Sequence, residues 1–280
     1  MNSYRDFVAT TAKLFRQGKS IAPKASPRPR KNLPANAPVA LIFSPHPDDE
    51  CITGALPLRL LQESGVRVVN VAVTLGSHAK RRPARLRELK LACAALGFEL
   101  EQTAPGGLNH INIETRKKDP KAWAVAVNVI AAILEDYQPR MIFPPHDDDH
   151  HPTHIGTHFL VMDALKTLPK SFACTLVETE FWGQMRSPNL LVESSLDDVA
   201  ALMNALALHT GEVRRNPYHL RLPAWMQDNV RRGAELLGGK GSPAPAFLFA
   251  TLYRVSKWKR GRIHAPATHG TFLSAAKKPI

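Results

Sequence analysis

At 280 residues and 44% hydrophobic content, the chain is long enough to bury a substantial core as one large domain or two small ones. No apolar run approaches the ~18 residues of a membrane span and no signal-peptide core follows the N-terminus, which speaks against integral membrane and secreted classes. The net charge of +13 belongs to the two ends: residues 1–37 carry eight Lys or Arg against Asp6 alone, residues 236–280 carry eight and no acid, and the remainder holds 21 basic and 23 acidic residues.

Basicity placed this way argues against nucleic-acid binding by the body of the protein. The ends read as solubilising extensions, with contact to an anionic membrane or polymer as the second reading. Cys51, Cys93 and Cys174 are few, far apart and set among apolar residues. That pattern points to reduced thiols in a cytoplasmic setting rather than a disulfide framework.

In chain order, Tyr4, Phe7, Val8, Thr11, Leu14 and Phe15 fall on one face of a helix, predicting a short amphipathic helix. The Arg-bearing, acid-poor composition there also resembles a transit peptide. A Pro-, Lys- and Arg-rich linker follows over 18–38, with little apolar material to bury. From Val39 onward apolar strands alternate with helical patterns. Strands are predicted over 39–43, 66–73, 98–100, 140–143, 172–182 and 246–255, and helices over 56–61, 85–96, 123–134, 155–166, 194–209 and 223–237. Gly97 is the expected stop of the 85–96 helix. This βαβ alternation predicts an α/β fold, Rossmann-like, with a mainly parallel sheet and helices on both faces. The expected organisation is a basic helix and linker over 1–38, a catalytic domain over 39–256 and a basic tail over 257–280.

Two polar clusters stand where such a fold places its ligands, at the carboxyl ends of strands. The first, Ser44-Pro45-His46-Pro47-Asp48-Asp49-Glu50, packs three carboxylates at mutual repulsion, a cost that a bound cation offsets. The second, Pro144 to His154, follows the apolar run Met141-Ile142-Phe143. Imidazole and carboxylate together form the ligand set of zinc and similar borderline metals. His46 and Asp49 are spaced to grip one ion from a tight turn, leaving Asp48 free as a general base. A third ligand is expected from the second cluster, where His154 competes with His158 and His150. Pro152 as first helical residue puts His154 in the first turn, beside the cluster.

The H-P-D-D-E string after a strand, with an H-P-x-H string about a hundred residues on, resembles the PIG-L/LmbE-like zinc-dependent N-deacetylases. Thr74-Leu75-Gly76 and the string Arg85-Leu86-Arg87-Glu88-Leu89 with Ala92 and Leu96-Gly97 extend the likeness over roughly 39–170. The resemblance implies a Zn2+ cofactor, with His46, Asp49 and His154 as its ligands. It implies Asp48 as general base, His151 as the residue that stabilises the oxyanion or protonates the leaving amine, and Arg85 as a substrate contact. The implied substrate is an N-acetylglucosamine-type amino sugar or glycoconjugate. One departure bears on mechanism: Thr153 stands where the family has an Asp that orients the catalytic histidine, so Asp147, Asp148 or Asp149 is expected to take that part. Asp149-His150-His151 is also similar to the signature of manganese-dependent DHH phosphoesterases, which gives a second enzyme reading. A non-catalytic polyanion-binding module is the third.

Overall fold

The computed structural model describes residues 4–29, 32–265 and 270–279. After an N-terminal helix α1 (Tyr4–Gly18), the chain lays down β1 (Val39–Ser44), a single turn α2 (Asp49–Ile52), α3 (Ala55–Glu63), β2 (Arg67–Ala72), α4 (Arg82–Leu96) and β3 (Glu99–Gln102). Two consecutive helices, α5 (Ile113–Lys118) and α6 (Pro120–Tyr137), lead to β4 (Met141–Phe143), α7 (Pro152–Thr167) and β5 (Cys174–Thr179). The remainder comprises β6 (Leu190–Glu193), α8 (Leu196–Ala207), α9 (Thr210–Val213), α10 (Leu222–Gly238), β7 (Ala250–Lys259), β8 (Arg262–His264) and β9 (Thr271–Leu273).

The strands form a nine-stranded sheet in the order β3-β2-β1-β4-β5-β7-β6-β9, with β8 paired to β7. The five strands from β3 to β5 run parallel, as in Rossmann-like folds, and β7 turns the sheet antiparallel beyond them. All six residues of β1 are buried because it lies at mid-sheet with helices on both faces. Ala40 and Ile42 join the cluster that packs against α3, α4 and α8. Val39, Leu41 and Phe43 join the cluster beneath α6 and α7. The strand order reverses between β1 and β4, which are paired in parallel. Their carboxyl ends therefore open side by side into the crevice where such sheets bind ligands.

Local signals set several boundaries as the sequence predicts. Gly97 ends α4 at φ 80°. Ser195 and Asp198 form a reciprocal capping box on α8. The strand expected over 246–255 is displaced to β7 at 250–259. The short strands β6, β8 and β9 and the helix α5 are not legible in the sequence pattern.

The two basic ends differ. In the stretch read as a linker, Lys24 exchanges backbone hydrogen bonds with the Asn204 side chain on α8 (2.7 and 2.9 Å), and the Arg28 amide donates to the Ala94 carbonyl (2.9 Å). α1 leaves Phe7, Val8 and Leu14 exposed, while the Arg221 guanidinium covers the Phe15 ring. Past Lys257, where a tail is expected, the chain stays in the sheet. Trp258 and Lys259 pair with β8, and β9 pairs with β6. Arg59, buried on α3, donates to the carbonyls of Glu193 (3.3 Å), Ser274 (3.2 Å) and Lys277 (2.6 Å), giving a buried guanidinium the acceptors it needs. Among the described residues, no helix is long and apolar enough to cross a membrane.

Candidate metal centre

The turn that follows β1 folds back on itself through its own carboxylates. The His46 amide donates to Asp49 Oδ2 (2.8 Å) and the Asp48 amide to Glu50 Oε2 (2.9 Å). These bonds hold Asp48 at φ 120°, a region that disfavours any residue with a Cβ and costs about 1–3 kcal/mol. Neighbouring elements clamp the turn: Thr74 Oγ1 donates to the Pro45 carbonyl (2.7 Å) and Arg85 Nη2 to the Pro47 carbonyl (2.9 Å). Behind it, Glu50 Oε1 faces His209 Nε2 (2.7 Å) and Cys51 Sγ (3.2 Å), all fully buried. Glu50, Cys51 and His209 are of metal-ligand type. Both Glu50 oxygens already have partners, however, so the group reads as a support for the turn.

On the other side of the crevice, α7 starts at Pro152 with His151 as its N-cap residue, and His154 sits in the first turn with no exposed surface. His46 Nδ1 and His154 Nε2 are 3.2 Å apart, and Asp49 Oδ2 lies 3.5 Å from the first and 3.4 Å from the second. A tetrahedral centre with bonds of about 2.0–2.1 Å has edges of about 3.3–3.4 Å, so these three donors have the spacing of one tetrahedral face. The donor set of two imidazoles and one carboxylate suits zinc. His151 belongs to the same cluster, with ring nitrogens of His46, His151 and His154 all within 4.8 Å of one another.

The adjacent carboxylates of the turn are pushed apart electrostatically. Burial, followed by the charge of Asp49, raises Asp48 to about 7, against the opposing pull of His209, Arg85 and the Tyr218 hydroxyl. For Asp49 burial also works upward, but His154 and His46 outweigh it and hold the carboxyl below its ordinary value. Tyr218 donates to Asp48 Oδ2, and Arg85 Nη2 stands 3.8 Å from Asp48 Oδ1. His151 is lowered to about 4, chiefly by burial and then by His46 and His154. Its Nδ1 accepts from the Thr153 amide (3.2 Å), so the neutral ring carries its proton on Nε2.

Asp149 is the buried carboxylate of the second loop. It accepts from the amides of His151 (2.9 Å), Trp182 (3.1 Å) and Gly183 (3.2 Å), and lies 3.5 Å from His154 Nδ1. Of the three aspartates considered in place of the residue at 153, it alone enters the site, and it faces His154 rather than the His151 ring. Asp147 and Asp148 are exposed and pair with Arg254 and Arg186. His158 is packed against the Pro145 carbonyl (3.0 Å). His150 is exposed and outside the cluster, and the Asp149 oxygens are taken up as described, so the Asp-His-His reading for two manganese ions loses its footing. Arg85 does not pair with Glu88, which instead accepts from Thr210 Oγ1 and the Gly211 amide. Tyr218, Trp182 and Glu212 are functional residues that the sequence reading does not single out. No periodic or spacing signal marks them, because their partners lie far along the chain.

The crevice opens into a cleft of about 550 Å³ lined by His46, Asp48, Asp49, Arg85, His151 and Tyr218 among others. A Rossmann-like α/β sheet with a histidine–aspartate cluster at its switch point defines the class of protein. Residues 41–165 match the family model described as PIG-L: GlcNAc-PI de-N-acetylase. The chain is 28% identical over 145 residues to a probable N-acetyl-alpha-D-glucosaminyl L-malate deacetylase 2 of Bacillus cereus, an alignment covering 46% of this chain and 62% of that relative. The chain thus spans about three fifths of that relative's length.

Among solved structures, it resembles the N,N'-diacetylchitobiose deacetylase of Pyrococcus horikoshii, with 16% identity, 91% of this chain and 93% of that one covered, and a TM-score of 0.57. The 4-carboxy-2-hydroxymuconate hydratase GalB of Pseudomonas putida KT2440 is similar to the same degree, with 15% identity, 84% and 99% covered, and a TM-score of 0.59. At these identities the likeness concerns the fold, which serves a hydratase as well as a deacetylase.

Proposed function

We propose that this chain is a zinc-dependent hydrolase that removes the N-acetyl group from an N-acetylglucosamine-type amino sugar or glycoconjugate. The observation that carries the reading is the donor triangle of His46, Asp49 and His154 beside a carboxylate, Asp48, that is buried, raised to about 7 and bonded to the Tyr218 hydroxyl. The matched family segment and the N-acetylated sugars named for its relatives support the substrate class.

His46, Asp49 and His154 would hold the ion, which supplies Lewis acidity toward the acetyl carbonyl and toward water. Asp48 takes the proton of the attacking water at Oδ1, the oxygen that Tyr218 leaves free. A carboxyl near 7 accepts and returns a proton with little penalty at neutral pH, although a cation in the triangle draws that value down. His151, neutral at that pH, donates from Nε2–H to the oxygen on which charge develops. A neutral imidazole is a poor proton source for the leaving amine, so Asp48 returns the proton it took. Arg85 holds the turn through the Pro47 carbonyl and faces the cleft, where a sugar hydroxyl is its expected contact.

The test is incubation of the zinc-loaded protein with a panel of N-acetylglucosamine derivatives, following free amine. One zinc per chain and amine release from at least one compound are expected. A zinc-loaded, folded protein that releases amine from none overturns the substrate class.

A further inference from the structure

The N-terminal helix is joined to the body at one end. Gly18 is the only buried residue of α1 and is seated against the Leu220 side chain. Ala12 and Phe15 are half-buried, and everything from Arg5 to Thr11 is exposed. Helical spacing sets Phe7, Thr11, Leu14 and Gly18 on one stripe, with Val8 beside it. Only the Gly18 end of that stripe rests on the body, and the turns before it overhang with Phe7 71%, Val8 64% and Leu14 63% exposed. Thr11 Oγ1 donates to the Phe7 carbonyl (3.0 Å), so the hydroxyl on the stripe is bonded within the helix. An apolar stripe left uncovered by its own chain marks a surface that something else covers.

The charge around the stripe selects the occupant. Asp6 is the only acid of α1, against Arg5, Lys13 and Arg16, and it has no basic residue three or four positions away. Lys19 and Lys24 follow, and the next acid in the chain is Asp48. A second copy of the chain laid on this stripe would bring those like charges together, and the stripe is far narrower than the roughly 20–30 residues a side of a stable protein interface. An anionic bilayer meets both features. The boundary between headgroups and acyl chains takes the apolar side chains, and the lipid phosphates take the basic ones, whose long stems reach them from the flank of the helix. We propose that α1 binds the protein peripherally to an anionic lipid bilayer through Phe7, Val8 and Leu14, with Arg5, Lys13 and Arg16 on the headgroups. The proposal stands apart from the deacetylase reading, since it uses no residue of the cleft.

The experiment is co-sedimentation of the full chain with vesicles of phosphatidylcholine alone and of phosphatidylcholine mixed with phosphatidylglycerol, at low and high salt. Partitioning onto the anionic vesicles is expected to exceed that onto the neutral ones by roughly tenfold or more, because each basic side chain near such a surface contributes about fivefold. The preference should shrink as salt is raised. Phe7→Ser with Leu14→Ser should lower binding to the anionic vesicles by roughly tenfold or more. Lys13→Glu with Arg16→Glu should remove most of the preference for them. Lys259→Glu with Arg262→Glu, exposed on β7 and β8, makes the same change in net charge and should leave binding nearly as in the parent. All six side chains are exposed, so each variant is expected to fold, and circular dichroism checks that it has.

Binding that is equal on the two kinds of vesicle, or absent from both, overturns the proposal. Binding unmoved by Phe7→Ser with Leu14→Ser overturns it too, as does equal loss in the β7 and β8 variant, which would reduce the effect to net charge. Sedimentation velocity without lipid tests the other occupant. A monomeric parent upholds the proposal, whereas a dimer that Phe7→Ser with Leu14→Ser dissociates assigns the stripe to a second copy and overturns it. None of these results bears on amine release, so the two readings fail separately.

Discussion

The turn after β1 and the loop after β4 sit side by side at the switch point and meet at one cluster, yet they are held by different means. The first is built largely from its own residues: His46, Asp48, Asp49 and Glu50 bond to one another within five residues, Thr74, Arg85, His209 and Tyr218 brace them from outside, and the strain at Asp48 is stored locally. The second depends on a distant segment. Asp149 reaches the amides of Trp182 and Gly183, His146 Nε2 meets the Gly183 carbonyl at 2.9 Å, and a Cβ on Gly183 would come within 2.8 Å of the Asp149 Cα. Only glycine lets those two loops approach so closely. One half of the site is therefore mainly a property of a short string, and the other mainly a property of packing.

The sharpest way to break this comparison is to separate the two carboxylates of the turn. Asp49→Ala and, across the crevice, His154→Ala are expected to lose zinc and essentially all activity. Asp48→Asn should keep zinc near one per chain while turnover falls about 10²–10⁴-fold, the scale of a lost general base. Metal analysis beside single-turnover rates checks this, and an Asp48→Asn protein that arrives without metal while Asp49→Ala retains it would reverse the roles.

A smaller effect is expected from Asp149→Ala, which leaves all three donors in place but frees the ring of His154 and the start of α7. Zinc affinity or activity should fall about 10–100-fold, as for other groups that orient a ligand from behind. Competition with a chelator measures it. Affinity equal to that of the parent would mean that the second loop is as self-sufficient as the first.

The smallest effect concerns Thr153. In the metal-free protein His151 titrates well below an ordinary imidazole because burial and two neighbouring rings disfavour its charge. Thr153→Asp places a carboxylate beside it, which favours the imidazolium and should raise the value on the order of one unit. Titration of the His151 ring signal by NMR reads this directly, and an unmoved value would show that the side chain at 153 does not face the ring.

Much of this molecule is local in origin. β1 and β4 are legible as continuous apolar runs because each is covered on both faces, and the ends of α4, α7 and α8 follow from Gly97, Pro152 and the Ser195–Asp198 box. The His46–Glu50 string marks a candidate cation site, because no ordinary turn gathers so many like charges. β6, β8 and β9 left no such mark. They are three or four residues long; β6 and β8 become strands along the edges of the long β7, and β9 along the outer edge of β6. The same holds for the basic end beyond Lys257, whose composition reads as a tail until the buried Arg59 and the edge of β6 give it something to pair with.

The sequence by itself determined the α/β class, the two strand-end clusters and the chemistry their residue types allow, since these depend on periodicities and on charges a few residues apart. Only the tertiary structure decided which atoms converge. That β1 and β4 are neighbours, that Tyr218 rather than a nearby residue engages Asp48, that Trp182 and Gly183 hold Asp149, and that four arginines share one wall all require contacts across about 30 to 170 residues of chain. Such contacts are selected by packing of the whole sheet and its helices, which no local pattern encodes.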